Sequence, residues 1–324
     1  MSRSSIEVRE VEVLIIGGGM SGLLAAQSLQ AEGREILVLD KGRGFGGRMA
    51  GRNFAGATFE HGAQFLEART PRFTAQVEAW CRAGLAEKWY LPLAEVGDVP
   101  FRFRAKPSMT ALARYLATGI ELLRVHTVVS LGLEGNRWSA LLDKGGRVSA
   151  SAVLVTCPVP QSLALLDQGG FAISSAHRTK LASITYERCL TVMAVLEGPS
   201  RLPSPGILAQ GNGPIDRLCD HQIQGASPRP AVTIQAGHQF SLDNWDRPRQ
   251  EVAAEILKAA QPWLGSPVAA FQIHGWRYCR PLRSLANTCL KVHDDPSLVF
   301  AGDAFGGCDL ESAAHSGWAA AASI

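Results

Sequence analysis

The chain has 324 residues, 46% of them hydrophobic and 19% charged, with a formal net charge of +3. That is enough apolar material for a large core in two lobes, and too mild and scattered a basic excess for nucleic-acid recognition. Its seven cysteines, at 81, 157, 189, 219, 279, 289 and 308, contain no C-x-x-C, which reads as reduced thiols in a cytoplasmic protein and not as a disulfide frame or a metal site.

Residues 1 to 10 are polar and charged, without the apolar stretch of a secretory signal, and no run is long enough to span a bilayer. A short apolar run, Val13 to Ile16, then predicts a buried parallel strand. It leads into Gly17-x-Gly19-x-x-Gly22, with Met20 and Ser21 between the last two glycines. A helical pattern through Leu24, Ala25 and Leu29 runs to Gly33, and a second strand, Ile36 to Leu39, ends on Asp40. This is the βαβ unit of a dinucleotide site. Gly17 allows the tight turn, Gly19 lets a pyrophosphate approach the backbone, and Gly22 lets the helix sit close on the sheet. The helix N-terminus offers free N–H groups to phosphates, and Asp40 suits a ribose hydroxyl. A second match, Gly42-x-Gly44-x-x-Gly47, has no apolar helix after it. With Lys41, Arg43, Arg48 and Met49 it reads as a basic turn beside the ribose-binding acid.

Further along, Phe59-Glu60-His61-Gly62-Ala63-Gln64-Phe65 is a small-residue stretch where backbone can approach a flat ring. Residues 71 to 89 look helical, with Thr70 as N-cap, Pro71 in the first position and an end near Gly84, after which Trp89 follows. Pro100 to Arg104 alternates like a strand with Phe101 and Phe103 on one face, and a helix starts near Met109. Strands follow at Trp138 to Leu142 and Arg147 to Thr156, the latter leading into Cys157-Pro158. From about residue 174 to 270 strands alternate with Pro- and Gly-rich loops, with one clear helix at 249–264. Trp276 and Tyr278, two apart, are expected on one face of a strand. Near the C-terminus Leu298 to Ala301 ends in Gly302-Asp303, and the segment from Gly306 leads into a small-residue helix at 313–322. No H-E-x-x-H or G-x-S-x-G occurs.

Four stretches together, VLIIGGGMSGLLAAQSL, DKGRGFGGRMA, FEHGAQFLEARTPRF and VFAGDAFGGCDLESAAHSGWAAA, with HGWRYCRP before the last, carry a family likeness. In their order and spacing the chain resembles the renalase-like branch of FAD-dependent oxidoreductases in the flavin amine oxidase superfamily. The resemblance implies an α/β fold: a Rossmann-type FAD-binding domain (amine oxidase/glutathione-reductase-like) with an inserted α+β substrate domain. The expected division is 1–66, 112–168 and 288–324 for FAD, and 67–111 and 169–287 for substrate.

It also implies non-covalent FAD. Gly17, Gly19, Met20, Ser21 and Gly22 hold the pyrophosphate. Asp40 takes the adenosine ribose, with Lys41, Arg43, Gly47, Arg48 and Met49 around the phosphates. Val128 contacts adenine through its backbone, and Thr156 and Pro158 flank the cofactor. Gly62, Ala63 and Gln64 lie near the isoalloxazine, Gly302 and Asp303 bind the linker, Leu310, Glu311 and Ser312 approach the pyrimidine side, and Ala313 is a further cofactor-binding residue. Trp276, Tyr278, His61, His238 and His274 are the substrate-cavity candidates.

Ser108 and Cys279 depart from the branch's pattern, and the lysine that many amine oxidases keep near the flavin has no matching motif here. The expected activity is removal of a hydride from a small substrate, such as 2- or 6-dihydro-NAD(P) isomers, with O2 as acceptor and H2O2 as product. The alternatives are an amine oxidase or desaturase-type oxidoreductase, and a FAD-stabilised binding protein without turnover. Expected partners are a dihydronicotinamide or amine and O2, with no nucleic acid, membrane or metal. The sequence leaves the oligomeric state open.

Overall fold

The computed structural model describes residues 8–92, 100–211 and 213–324; the polar residues 1–7 lie outside that description. The chain divides into two compact units, Met1–Gly47 with Ala113–Thr185 and Arg280–Ile324, and Arg48–Leu112 with Tyr186–Cys279.

The first unit is built on a sheet whose strand order is Leu290–His293, Ser297–Phe300, Arg147–Val155, Val8–Ile16, Ile36–Asp40 and Leu122–Arg124. The inner pairs are parallel, with Ile16 beside both Val155 and Leu39. Their side chains are buried on both faces, hence the unbroken apolar runs in the sequence. One face packs Val13, Ile15, Val38, Leu154 and Val299 against Ala25, Ala26, Leu29, Ala320 and Ala321, from the helices Met20–Ala31 and Leu310–Ala321. These helices approach closely, because a Cβ on Gly317 would lie 2.3 Å from Ser21 O. The strands Val128–Glu134 and Arg137–Leu142 continue the sheet as an antiparallel meander.

The second unit centres on an antiparallel sheet in the order Ile207–Ala209, Ile215–Asp220, Ala231–Ala236, Cys189–Leu196 and Val268–Trp276. Alternation gives it two unlike faces. Leu190, Val192, Leu218, Val232, Ile234 and Ile273 form an apolar face packed on the helix Arg249–Leu264. The other face carries Cys189, Thr191, Cys219, Thr233, Gln235, His274 and Trp276. Met193 and Val195, also on it, pack against Phe59 of the hairpin Arg52–Phe54/Ala57–Phe59.

Several expectations are corrected. Of the segment 71–89, whose helix is expected to end near Gly84, the helix covers Pro71–Arg82; Gly84 turns the chain at φ +72°, and Trp89 lies on the strand Ala86–Tyr90. Phe101 precedes the strand Arg102–Ala105 and is exposed, whereas Phe103 is buried. Tyr278 is not on the strand of Trp276, which ends there; Tyr278 sits in the following turn, edge-on to Tyr186. A period-two pattern cannot locate the end of a strand when no Gly or Pro marks it before Pro281. The last helix begins at Leu310 rather than 313, because Asp309 caps it by accepting the Ser312 N–H at 2.8 Å.

The unit borders also differ from the expected ones. Residues 48–66 group with the second unit, where Phe59 is packed. Residues 169–185 stay with the first, where Gly169 lies so close to Leu131 that a Cβ would be 2.1 Å from its carbonyl oxygen. Residues 280–287 do likewise, held by Leu285 N–H to Ala304 O at 2.9 Å.

The Gly317–Ser21 contact is directly testable. Gly317→Ala forces a methyl group onto a backbone oxygen, an overpacking that costs about 1–3 kcal/mol. Thermal unfolding should shift down by about 3–9 °C; an unchanged midpoint would show that the two helices are not in this contact.

Candidate active site

The first glycine loop and Asp40 form one cradle. Asp40 Oδ2 accepts the Gly18 N–H at 2.6 Å and Oδ1 accepts the Gly42 N–H at 2.6 Å, so one carboxylate fastens both glycine runs. Each oxygen keeps lone-pair capacity for a ribose hydroxyl. A Cβ on Gly22 would meet Gly17 O at 2.0 Å and Thr156 Oγ1 at 3.0 Å, which is why the helix sits so close to the strand. Thr156 Oγ1 donates back toward Gly17 O at 3.0 Å. A Cβ on Gly19, by contrast, meets only Gly46 O, at 3.9 Å. Gly47 approaches from the second glycine run, its own Cβ position 3.7 Å from Gly19 Cα.

The helix Met20–Ala31 has Gly19 as N-cap and no side-chain cap. Its first turn therefore presents N–H groups and the positive end of the dipole, and Ser21 Oγ there is buried without a hydrogen-bond partner among the described residues. Uncapped N–H groups, an orphaned hydroxyl and an open Cβ direction at Gly19 fit a pyrophosphate.

The other predicted residues of the first unit are placed as follows. Lys41 donates to Gln161 at 3.2 Å, and Pro158 caps the helix Val159–Gln168. Arg43 is exposed, its carbonyl held by Arg124, whose guanidinium lies 4.2 Å from the Phe45 ring centroid. Val128 is buried at the start of its strand. The Gly302 N–H donates to Ser316 Oγ at 2.8 Å, at φ +137°, which sets the turn that carries Asp303. Glu311 is buried, 3.9 Å from His315 Nε2; Ala313 is buried, Leu310 is half-buried, and Cys308 is exposed.

In the second unit the segment 60–65 crosses the polar face of the antiparallel sheet. Arg48 O accepts the Ala63 N–H at 2.9 Å, and a Cβ on Gly62 would fall 2.0 Å from that oxygen. Arg48 also donates to Cys279 O at 3.3 Å, and Met49 is buried beside it in the chain. Trp276 Nε1 donates to His61 O at 3.0 Å, and Gln235 Nε2 to Gly62 O at 3.2 Å.

The rings of His61, His274 and Trp276 pack as a trio, with centroids 4.4–5.2 Å apart. Burial drives the His61 pKa down to about 3, helped by His274 and Arg52, and lowers that of His274, helped by Arg52 and Arg249. Both imidazoles are neutral at pH 7, and no carboxylate hydrogen-bonds to the trio among the described residues. His238 lies apart from it: on the helix His238–Asp243 its Nδ1 accepts the Arg188 N–H at 3.0 Å.

Two residues escaped the sequence reading. His221, fully buried, lies between Thr233 Oγ1 at 2.6 Å and Gln224 Oε1 at 2.8 Å. Gln224 Nε2 donates to Gln64 O at 2.9 Å, so its Oε1 must accept. The His221 proton therefore sits on Nδ1, and Nε2 accepts from Thr233. Burial lowers this pKa to about 4. The chain Thr233–His221–Gln224 fixes the Gln64 carbonyl. A 160-residue separation between Gln64 and Gln224 hides this in sequence; only the Asp220 cap and Gly225 at φ +82° marked a one-turn helix there. Glu60 is the second. Its Oε1 accepts the Met109 N–H at 2.8 Å at the start of the helix Met109–Leu116, and its Oε2 is buried without a partner among the described residues. Burial raises its pKa to about 7.

A parallel sheet with a glycine-rich turn, an uncapped helix and an acid on the second strand defines a dinucleotide-binding oxidoreductase fold. Residues 15–80 match the NAD(P)-binding Rossmann-like domain model, and residues 78–324 match the flavin containing amine oxidoreductase model. The chain belongs to the flavin containing amine oxidoreductase family. It is a flavin-dependent oxidoreductase, and the dinucleotide cradle makes the flavin FAD.

Mouse (Mus musculus) renalase is 26% identical over 321 residues, covering 90% of this chain and 92% of the relative. (S)-6-hydroxynicotine oxidase of Paenarthrobacter nicotinovorans is 34% identical over 102 residues, 30% of this chain and 22% of the relative. The fold is shared with putrescine oxidase bound to putrescine, at TM-score 0.74 and 14% identity over 97% of this chain and 99% of that one. It is also shared with a fatty acid isomerase from P. acnes, at TM-score 0.66 and 13% identity over 95% and 97%.

Gly19→Ala should leave the apoprotein's unfolding midpoint within about 2 °C, because the methyl group meets nothing closer than 3.9 Å. The same methyl group occupies the pyrophosphate approach and should weaken FAD retention at least about tenfold; FAD affinity equal to wild type would contradict the cradle. For Glu60, the folded pKa near 7 lies above the unfolded value of 4.5. Its contribution is then full below pH 4.5 and lost as pH rises through about 7. Urea midpoints should fall across that window, and Glu60→Gln should flatten the fall; an unchanged slope in the variant would refute the assignment.

Proposed function

We propose that the chain is an oxidase holding FAD without a covalent bond, which removes a hydride from a small electron-rich substrate and passes the electrons to O2, giving H2O2. The substrates that the renalase-like resemblance implies are the 2- and 6-dihydro isomers of NAD(P), returned to NAD(P)+. Bound FAD supplies the two-electron acceptor. The cradle residues Gly17 to Gly22 and Asp40 hold its nucleotide end, and Gly62, Ala63 and Gln64 are the backbone offered to its ring.

The observation that carries this reading is the neutral trio His61, His274 and Trp276. A dihydropyridine that loses a hydride becomes an aromatic pyridinium, so no base has to receive a proton. A wall of neutral rings stacks a flat heterocycle. The same wall is unsuited to an ammonium: no carboxylate hydrogen-bonds to it among the described residues, Arg52 biases both imidazoles against positive charge, and Arg249 does so for His274. All seven cysteines are unbridged, which supports a cytoplasmic setting. Among the described residues no helix is long and apolar enough to cross a membrane.

Anaerobic mixing with 2- or 6-dihydronicotinamide dinucleotides should bleach the visible flavin band within the mixing experiment. Readmitting O2 should restore the band with one H2O2 per flavin. Bleaching by amines without bleaching by either dihydronicotinamide would replace this reading with amine oxidation.

A further inference from the structure

Four strands of the second unit contribute one residue each to a single cross-strand row. Arg217 stands opposite Gln235, Gln235 opposite Thr191, and Thr191 opposite His274. Directly opposed residues share a face, and the contacts agree. The segment 61–65 runs along the row, with His61 on His274, Gly62 O on Gln235 Nε2, and the Phe65 ring centroid 5.3 Å from the Arg217 guanidinium. The row spans three strand spacings, about 14 Å. One end is neutral and aromatic and the other is cationic.

A second guanidinium lies on the same ring. Arg102 sits 4.5 Å from the Phe65 centroid and 5.4 Å from that of Tyr90. The two arginines differ in company. Arg102 donates to Glu67 Oε1 at 2.6 Å and to the Tyr90 hydroxyl at 2.5 Å. The Arg217 guanidinium has its contact with Phe65 and makes no hydrogen bond or ion pair among the described residues. Glu67 compensates Arg102, whereas the Phe65 ring quadrupole attracts Arg217 without neutralising it. An anion seated on Arg217 supplies the counter-charge it lacks, and the planar fork of a guanidinium matches phosphate oxygens.

We infer that Arg217, backed by Phe65 and Arg102, is an anion subsite for the phosphate-bearing end of the substrate, about 14 Å along the sheet from the ring-binding end at His61, His274 and Trp276. That the anion belongs to a dinucleotide rests on the proposed function; the subsite itself rests on the row and the paired guanidiniums.

The test uses holoenzyme of wild type, Arg217→Gln and Arg217→Lys, with the exposed Arg178→Gln as control, each checked for an unchanged unfolding midpoint. ADP-ribose and inorganic pyrophosphate are titrated calorimetrically. Half-saturation of flavin reduction is measured with a dihydronicotinamide dinucleotide and with its riboside, which lacks phosphate.

Arg217→Gln should weaken ADP-ribose and dinucleotide binding at least about tenfold, the size of a lost charge-assisted contact. Arg217→Lys should fall between it and wild type, and Arg178→Gln should match wild type. Riboside half-saturation should move less than about twofold in Arg217→Gln. ADP-ribose binding equal to wild type in Arg217→Gln overturns the subsite. Arg217-dependent binding of pyrophosphate without binding of ADP-ribose overturns it as a substrate subsite and leaves a free-anion site. Failure of every dihydronicotinamide to reduce the flavin, with Arg217-dependent ADP-ribose binding intact, refutes the proposed substrate and upholds the subsite.

Discussion

The first unit depends on one carboxylate. Asp40 closes the strand Ile36–Asp40 and accepts backbone N–H groups from both glycine runs, at Gly18 and Gly42. Without an acceptor there, two loop N–H groups lose their partners, and such groups are costly to leave unmet. With it, Gly46 and Gly47 are held beside Gly19, and the uncapped helix Met20–Ala31 opens onto the space between them. The same carboxylate that is expected to meet the ribose keeps both glycine runs in shape.

The second unit depends on an asymmetry. Each strand of its antiparallel sheet alternates, but only one face is fully apolar and covered by the helix Arg249–Leu264. The other carries hydroxyls, an amide, thiols and imidazole, which must be hydrogen-bonded when buried. The segment 60–65 answers that need: its carbonyls at His61, Gly62 and Gln64 accept from Trp276, Gln235 and Gln224. That backbone is therefore fixed from beneath by side chains of the sheet. Neutral imidazoles follow from the same burial.

Local pattern carried much of the fold. The βαβ unit was legible because burial on both faces leaves an unbroken apolar run and because a phosphate turn requires glycine. Strand ends were harder: nothing in Trp276 to Tyr278 marks where hydrogen bonding stops, and Asp309 as a cap looked like one more polar residue in a loop. Of the site, the family likeness gathered the segment 61–64 and Trp276 into one expectation, but long-range partners stayed hidden. His221, Glu60 and Arg217 act through residues far away in sequence or on neighbouring strands, and such pairings follow from register. His238 illustrates the reverse error. A histidine near strand ends draws suspicion, yet its ring accepts a backbone N–H.

In the reading proposed above, Gly19 and Asp40 hold FAD without a covalent bond. Heat or acid denaturation of the purified protein, followed by chromatography of the soluble fraction, tests it most directly. The expected result is one FAD per chain in solution and a colourless precipitate. Flavin retained by the precipitated chain, or FMN or NAD in place of FAD, would contradict it.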